Sequence, residues 1–254
     1  MRLSVAAAPI VLAAALAGCG GTVAAPPQPV ARTAARPGKV CRIGVESRLG
    51  SPRLAYAAVA QMPLRAFRAP GGTALATFKR LNANGVPNVF GVLGVVKGRG
   101  CKATWYRVQL PMRPNGSIGW IHAYAVWIGR VRTRIEIDVS LRRLTFFRDG
   151  RPVLSATTAV GAPATPTPTG RFYVNQRLIP IDTRGPFGPG AIGISAFSNV
   201  LTGWTQGGPV AIHGTNEPWS IGRSVSNGCI RLPNKVLRRL FRIVPAGTPV
   251  VIHA

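Results

Sequence analysis

The chain has 254 residues, with 32 Lys+Arg against 6 Asp+Glu, a net charge of +26, 30 Gly and 23 Pro. The acids are Glu46, Glu136, Asp138, Asp149, Asp182 and Glu217; so few argue against a two-carboxylate glycosidase and a carboxylate-rich metal site. The charge admits three settings, namely nucleic acid, an anionic membrane or anionic wall polymers, besides plain solvated Arg faces. The cations are scattered, with no run of five, no zinc-finger spacing and no segment that reads as a basic helix, which counts against nucleic acid. With 46% hydrophobic residues most of the chain should fold, as one or two domains rich in turns and short strands.

Met1-Arg2 precedes an apolar run from Val5 to Ala17, too short to span a bilayer comfortably. It ends in Leu16-Ala17-Gly18-Cys19, which resembles a lipobox, where the thiol is lipidated and the preceding peptide removed. An ordinary secretory signal is the alternative. The expected layout is a signal peptide over 1–18, lipid on Cys19, and a flexible linker over 19–39, rich in Ala, Pro and Gly. The mature protein is then extracytoplasmic, membrane-anchored through its lipid, in the wall or periplasmic space.

Residues 40–130 read as short strands, such as NVFGVLGVVKG and TWYRVQL, bounded by Gly, Pro and Asn. Trp105-Tyr106-Arg107-Val108, then PNGS, then Gly119-Trp120-Ile121 looks like a bacterial SH3-type barrel. Leu54 to Arg68 fits a short helix or a strand equally. From Val131 apolar and polar residues alternate, and Asp149-Gly150 signals a hairpin turn. A Pro-rich loop then leads into Gly170 and a strand-like Arg171-Phe172-Tyr173-Val174. AIGISAF at 191–197 suits a core strand or cleft wall. Pro233 to Ile243 is the best helix, with Val236, Leu237, Leu240 and Ile243 at helical spacing. The fold class expected is mainly β: an SH3-like barrel over 40–130, then a β-rich domain over 131–254 with a short C-terminal helix.

Of four cysteines, Cys19 is the lipid site, and Cys41 and Cys101 either pair in an oxidising compartment or are separate buried thiols. Cys229 is left over, and an unpaired thiol in an exported protein invites a functional explanation. Of three histidines, His253 is at the C-terminal edge, His122 sits in the barrel-like region, and His213 ends a strand-like run 16 positions before Cys229. A thiol is mostly protonated at neutral pH, so a neighbouring imidazole can take its proton, and a third group must fix the imidazole's tautomer. Gly228 lets backbone N–H groups around Cys229 approach an oxyanion.

Three segments, TPTPTGRF at 165–172, IHGTNEPWSIGRSVSNGCIRL at 212–232 and PAGTPVVI at 245–252, resemble the YkuD-type L,D-transpeptidase catalytic domain over roughly 131–254. The resemblance implies a β-rich fold around a sheet-lined cleft, with Cys229 as nucleophile and His213 as base. It implies that the Gly214 carbonyl orients the imidazole, and that Arg231 holds the Cys loop or a substrate carboxylate. Ser226, Asn227 and Gly228 would shape the oxyanion region. Asn227 departs from the His that many members carry there, a change read as tuning, because the family's base is the upstream His.

The implied reaction is acyl transfer on peptidoglycan stem peptides. Cys229 attacks the bond between the third stem residue and terminal D-Ala, D-Ala leaves, and an amine of a neighbouring stem resolves the thioester into a 3→3 cross-link. No metal or organic cofactor is required, and carbapenems are implied inhibitors. Two rivals stand: an L,D-carboxypeptidase using water at the same site, and a catalytically inactive wall-binding lipoprotein. No S-x-x-K or G-x-S-x-G occurs.

Overall fold

A computed structural model describes residues 41–254, which form one compact unit. The signal peptide over 1–18, lipidation at Cys19 and the linker over 19–39 lie outside the described residues.

The first sheet has eight strands: β1 (Glu46–Arg48), β2 (Ala55–Ala60), β3 (Leu64–Phe67), β4 (Ala74–Phe78), β5 (Val89–Lys97), β6 (Ala103–Gln109), β7 (Ile118–His122) and β8 (Val126–Val131). The order is β4-β3-β7-β6-β5-β2-β8, with β1 paired to β5. The segment that suited helix or strand equally is thus β2 and β3. Its core gathers Phe90, Val108, Leu110 and Ile121, each at most 1% exposed. Cys41 and Cys101 are joined in a disulfide that ties the start of this region to the β5–β6 connection. His122 is part of an aromatic cluster, its ring 3.7 Å from that of Trp105 and 4.9 Å from that of Tyr124.

The chain then runs through β9 (Thr133–Asp138), β10 (Arg143–Arg148), β11 (Arg151–Thr157), β12 (Val160–Gly161), β13 (Gly170–Leu178), β14 (Ala191–Phe197), β15 (Pro209–His213), β16 (Ser224–Ser226), β17 (Ile230–Arg231), α1 (Asn234–Ile243) and β18 (Pro249–His253). The second sheet has the order β11-β10-β9-β18-β13-β14-β15-β17, and β12 pairs with β16 alone. The β10–β11 turn has Asp149 at φ 52° and Gly150 at φ 82°, the pair of left-handed residues whose twist suits a two-residue hairpin loop. Strand β14 is the AIGISAF run, buried along Ala191–Ala196.

Alternation along the strands sends Ile135, Phe172, Val174, Ile192, Ile194, Ile212 and Ile230 to one face, where Leu237 and Leu240 of α1 cover them. Burying each leucine contributes roughly 1.5–3 kcal/mol. The outer face of α1 carries Lys235, Arg238, Arg239 and Arg242, all exposed. That corrects the expectation of no basic helix: apolar residues within the segment disguise four cations that only helical winding collects on one side.

The opposite face of the second sheet meets the first. Tyr173, 2% exposed, donates its hydroxyl to the Val89 carbonyl at 2.9 Å, and burial pushes its phenol well above 10. Tyr173→Phe leaves a buried carbonyl unpaired and should cost about 1–2 kcal/mol of stability, read as a lower denaturant midpoint at unchanged slope. Asn115 pairs both Phe197 N (2.9 Å) and Phe197 O (2.8 Å), acting as a substitute strand residue. Arg113 donates to the carbonyls of Ser198 and Gly207. The first sheet therefore holds the connection between β14 and β15.

Candidate active site

Strands β15 and β17 run parallel, with Ile212 opposite Ile230 and His213 opposite Arg231. Both isoleucines are 0% exposed in the core. Their neighbours His213, Ala211 and Arg231 therefore face the other way, and Cys229, one residue before β17, falls beside Ala211. The backbone N–H of Ala211 reaches the Cys229 sulfur, as that register requires. Cys229 and His213 are thus diagonal neighbours on adjacent strands, a separation their side chains can bridge.

His213 is 5% exposed. Its Nδ1 lies 2.5 Å from the Gly214 carbonyl. A carbonyl can only accept, so Nδ1 carries the proton and Nε2 keeps its lone pair. Burial, with a smaller push from the Arg231 charge, lowers the imidazole pKa to about 4 against a partial restoring effect of the Gly214 bond. The ring is neutral at pH 7. Phe187 meets it edge to face, 5.0 Å between centroids.

The loop after His213 is pinned by Asn234, at the start of α1. Its Oδ1 accepts from Thr215 N at 2.8 Å and its Nδ2 donates to Thr215 O at 2.9 Å. A Cβ on Gly214 would lie 2.3 Å from that Oδ1 and 2.7 Å from Pro189 Cδ, so only glycine brings its carbonyl to the imidazole. Further along, Glu217 takes the Arg231 guanidinium at 2.5 Å, which joins the His213 loop to the strand that follows Cys229. Arg231, expected to hold the Cys loop or a substrate carboxylate, is placed against Glu217.

The Cys229 loop is stapled from below. Ser226 Oγ donates to the Cys229 carbonyl at 2.6 Å and accepts from Gly228 N at 3.2 Å. Thr167 Oγ1 donates to Gly228 O at 3.0 Å and accepts from Gly161 N at 2.8 Å; Thr165 Oγ1 donates to Ser226 O at 2.9 Å. The first two threonines of TPTPTG, Thr165 and Thr167, therefore serve as clamps. Gly228, at φ 100°, makes the bend before the thiol. The expectation that Ser226 and Gly228 line an oxyanion region is altered in detail: the Ser226 side chain and the Gly228 N–H are spent on each other. Asn227 is exposed and its side chain makes no hydrogen bond among the described residues. Cys229 is half-buried, and its surroundings raise the thiol pKa by desolvation, opposed by the Ala211 N–H and the Arg231 charge. The resting pair is a neutral thiol beside a neutral imidazole.

Sequence reading alone gave no individual role in the site to Thr165, Thr167, Phe187, Thr215, Glu217 or Asn234. Most lie inside or beside the quoted segments, but nothing in a one-dimensional pattern shows that Asn234 turns back onto Thr215, or that Glu217 meets Arg231. Among the described residues no three His, Cys, Asp or Glu side chains gather as metal ligands.

Residues 132–252 match the YkuD L,D-transpeptidase catalytic domain family. The chain is 40% identical over 119 residues to YkuD of Bacillus subtilis, a candidate L,D-transpeptidase, covering 47% of this chain and 65% of the relative. It is 37% identical over 119 residues to the Bacillus licheniformis counterpart, covering 47% and 64%. The catalytic domain of the E. faecium L,D-transpeptidase is 26% identical, with coverage of 48% of this chain and 96% of that one and a TM-score of 0.35. The chain thus spans under two thirds of the length of these two Bacillus relatives, and the stretch similar to the YkuD L,D-transpeptidase catalytic domain family is the one that carries Cys229, His213 and their supports.

Proposed function

We propose that the protein is a peptidoglycan L,D-transpeptidase that forms 3→3 cross-links by cysteine acyl transfer. The observation that carries the reading is the His213 tautomer: Nδ1–H is committed to the Gly214 carbonyl, so Nε2 is the free base on the face that Cys229 shares. As Sγ attacks the carbonyl of the third stem residue, its proton passes to Nε2 and the carbonyl oxygen becomes an oxyanion. The N–H of Cys229, not hydrogen-bonded among the described residues, is the available backbone donor for that charge. Collapse breaks the C–N bond, and the imidazolium returns the proton to the departing D-Ala amine. The amine of a second stem then attacks the thioester, its proton goes to Nε2 and back to the sulfur, and the cross-link leaves.

A neutral pair suits this sequence. An imidazole with a low pKa holds no proton that would block it, and charge arises only as the carbonyl is attacked. Asn227 stands outside the hydrogen bonds that build the site, which supports reading it as tuning.

The same reading puts the protein outside the cytoplasm, with lipid on Cys19 and an SH3-like module over 40–130 ahead of the catalytic domain over 131–254. Its supports are the Cys41–Cys101 disulfide, which favours an oxidising compartment, and the run of eight strands over Glu46–Val131, in which the only helices are two single-turn 3-10 segments.

The test is intact mass of the soluble part incubated with a carbapenem, followed by peptide mapping. A single adduct on Cys229 is expected. Stem tetrapeptide with an amine acceptor should then give cross-linked dimer with release of D-Ala. Release without dimer would assign the carboxypeptidase reaction instead, and a folded protein that takes up no adduct would overturn the enzymatic reading.

A further inference from the structure

Strand β13 carries a bulge: Val174 pairs with Ile194, but Gln176 pairs with the next residue, Gly193. The extra residue is Asn175. Val174 and Ile194 are core residues, so the bulge turns two consecutive amides, Asn175 and Gln176, to the other face, the one that carries Cys229. Across the sheet Gly193 pairs with Ala211, and Ala211 lies beside Cys229. The row is Gln176, Gly193, Ala211, Cys229. Its two middle members have almost no side chain, and the amides lean over Gly193 into the space a Cβ would fill. That Cβ would lie 2.6 Å from Gln176 Cγ and 2.8 Å from Asn175 Oδ1.

The first sheet fixes the far side of this arrangement. Asn82 Nδ2 and Asn84 Nδ2 both donate to Gln176 Oε1, at 2.8 and 3.0 Å, and Gln206 Nε2 donates to Asn84 Oδ1 at 3.2 Å. With its oxygen doubly occupied, Gln176 holds its Nε2 over Gly193, 2.9 Å from where that Cβ would lie. Asn175 Oδ1 is buried without a partner, and its Nδ2, neither buried nor hydrogen-bonded among the described residues, is the half of that amide left to solvent. Two amide N–H₂ groups, held by the bulge and by a loop of the first sheet, thus stand with free donors at the end of a smooth row that starts at the nucleophile.

We propose that Asn175 and Gln176 form a binding subsite for the acyl-donor peptide, taking a carbonyl or carboxylate oxygen remote from the scissile bond. The inference rests on the transpeptidase reading of Cys229. Two strand spacings separate Gly193 from Cys229, about 10 Å. An extended peptide rises about 3.3 Å per residue, so the oxygen belongs about three residues to the amino side of the bond that breaks. A peptide lying in the row passes over Gly193 and Ala211 without obstruction, and the subsite measures the length of the stem. It also gives the first sheet a part in substrate selection, because Asn82 and Asn84 orient Gln176.

The experiment compares kcat/KM for a stem tetrapeptide, with all three residues ahead of the departing D-Ala, against a donor cut to one residue ahead of it, and adds carbapenem acylation as a reaction that does not extend to the subsite. Asn175→Ala should lower kcat/KM on the tetrapeptide about tenfold, the worth of one hydrogen bond, and leave the short donor and the carbapenem unchanged. Asn175→Asp, nearly isosteric but with a negative acceptor in place of the donor, should lose on the order of a hundredfold on the tetrapeptide alone. Equal losses on all three reactants, or none on any, overturn the subsite. A wild type inert toward the carbapenem overturns the reading of Cys229 and the subsite with it; a reactive wild type whose Asn175 variants treat long and short donors alike overturns only the subsite.

Discussion

Cys229→Ala is expected to keep its fold and to form no acyl adduct at any carbapenem concentration, a complete loss of the covalent step. The loop around the thiol is held by groups the substitution leaves in place: Ser226 Oγ on the Cys229 carbonyl, Thr167 on Gly228 O, and the strand pairing of Ile230 with Ile212. Only the sulfur and its contact with the Ala211 N–H go. The thermal transition should stay within about 1 kcal/mol of wild type at pH 7, while the mass shift disappears. The thiol adds a second, independent readout. Desolvation raises its pKa above the ordinary 9, so the fold favours the neutral form. That preference is fully present below the unfolded pKa and is lost as pH rises through the folded one. Wild type should therefore lose stability relative to Cys229→Ala above about pH 9, and its alkylation by iodoacetamide should keep accelerating past that pH. A plateau of alkylation at neutral pH would instead mean a preformed thiolate–imidazolium pair, contrary to the neutral pair described above.

Much of this was legible in the sequence because local rules and tertiary demands agree there. Asp149-Gly150 states its turn through backbone preference alone, α1 through the spacing of its leucines, and β14 through an unbroken apolar run. The Cys229 and His213 segments are legible because close backbone approach demands glycine at 214 and 228, and such punctuation survives in one dimension. What was not legible depends on register. The row from Gln176 to Cys229 exists only once four strands are aligned, and the Asn175 bulge shifts that alignment by one residue. Glu217 is one acid among six until the loop after His213 brings it to Arg231. Ser226, which the resemblance implied would help shape the oxyanion region, has partners that no one-dimensional pattern discloses: its hydroxyl is bonded to the loop's own backbone, at the Cys229 carbonyl and the Gly228 N–H.

His213→Ala should slow acylation of Cys229 by on the order of 10²–10⁴, measured as the rate of carbapenem adduct formation, with nucleophile and loops intact. The size follows from what is removed: an acceptor that takes the thiol proton as the bond forms, in a site where burial discourages free thiolate. The pH dependence makes the assignment specific. With its pKa lowered to about 4, His213 remains a competent base well below the usual imidazole range. The acid limb of wild-type acylation should therefore fall near pH 4 and not near 6.5, and His213→Ala should lose that limb. Stability moves with the same proton. Between about pH 4 and 6.5 the unfolded chain binds a proton on this histidine and the folded chain does not, so folding stability falls as pH drops through that window, by up to about 3 kcal/mol. Denaturant titrations at pH 4.5 and 7.5 should show that loss in wild type and a smaller one in the variant. An acid limb left at 6.5, or a variant that acylates at the wild-type rate, would move the base to another group and leave the Gly214 carbonyl orienting a histidine with only a structural part.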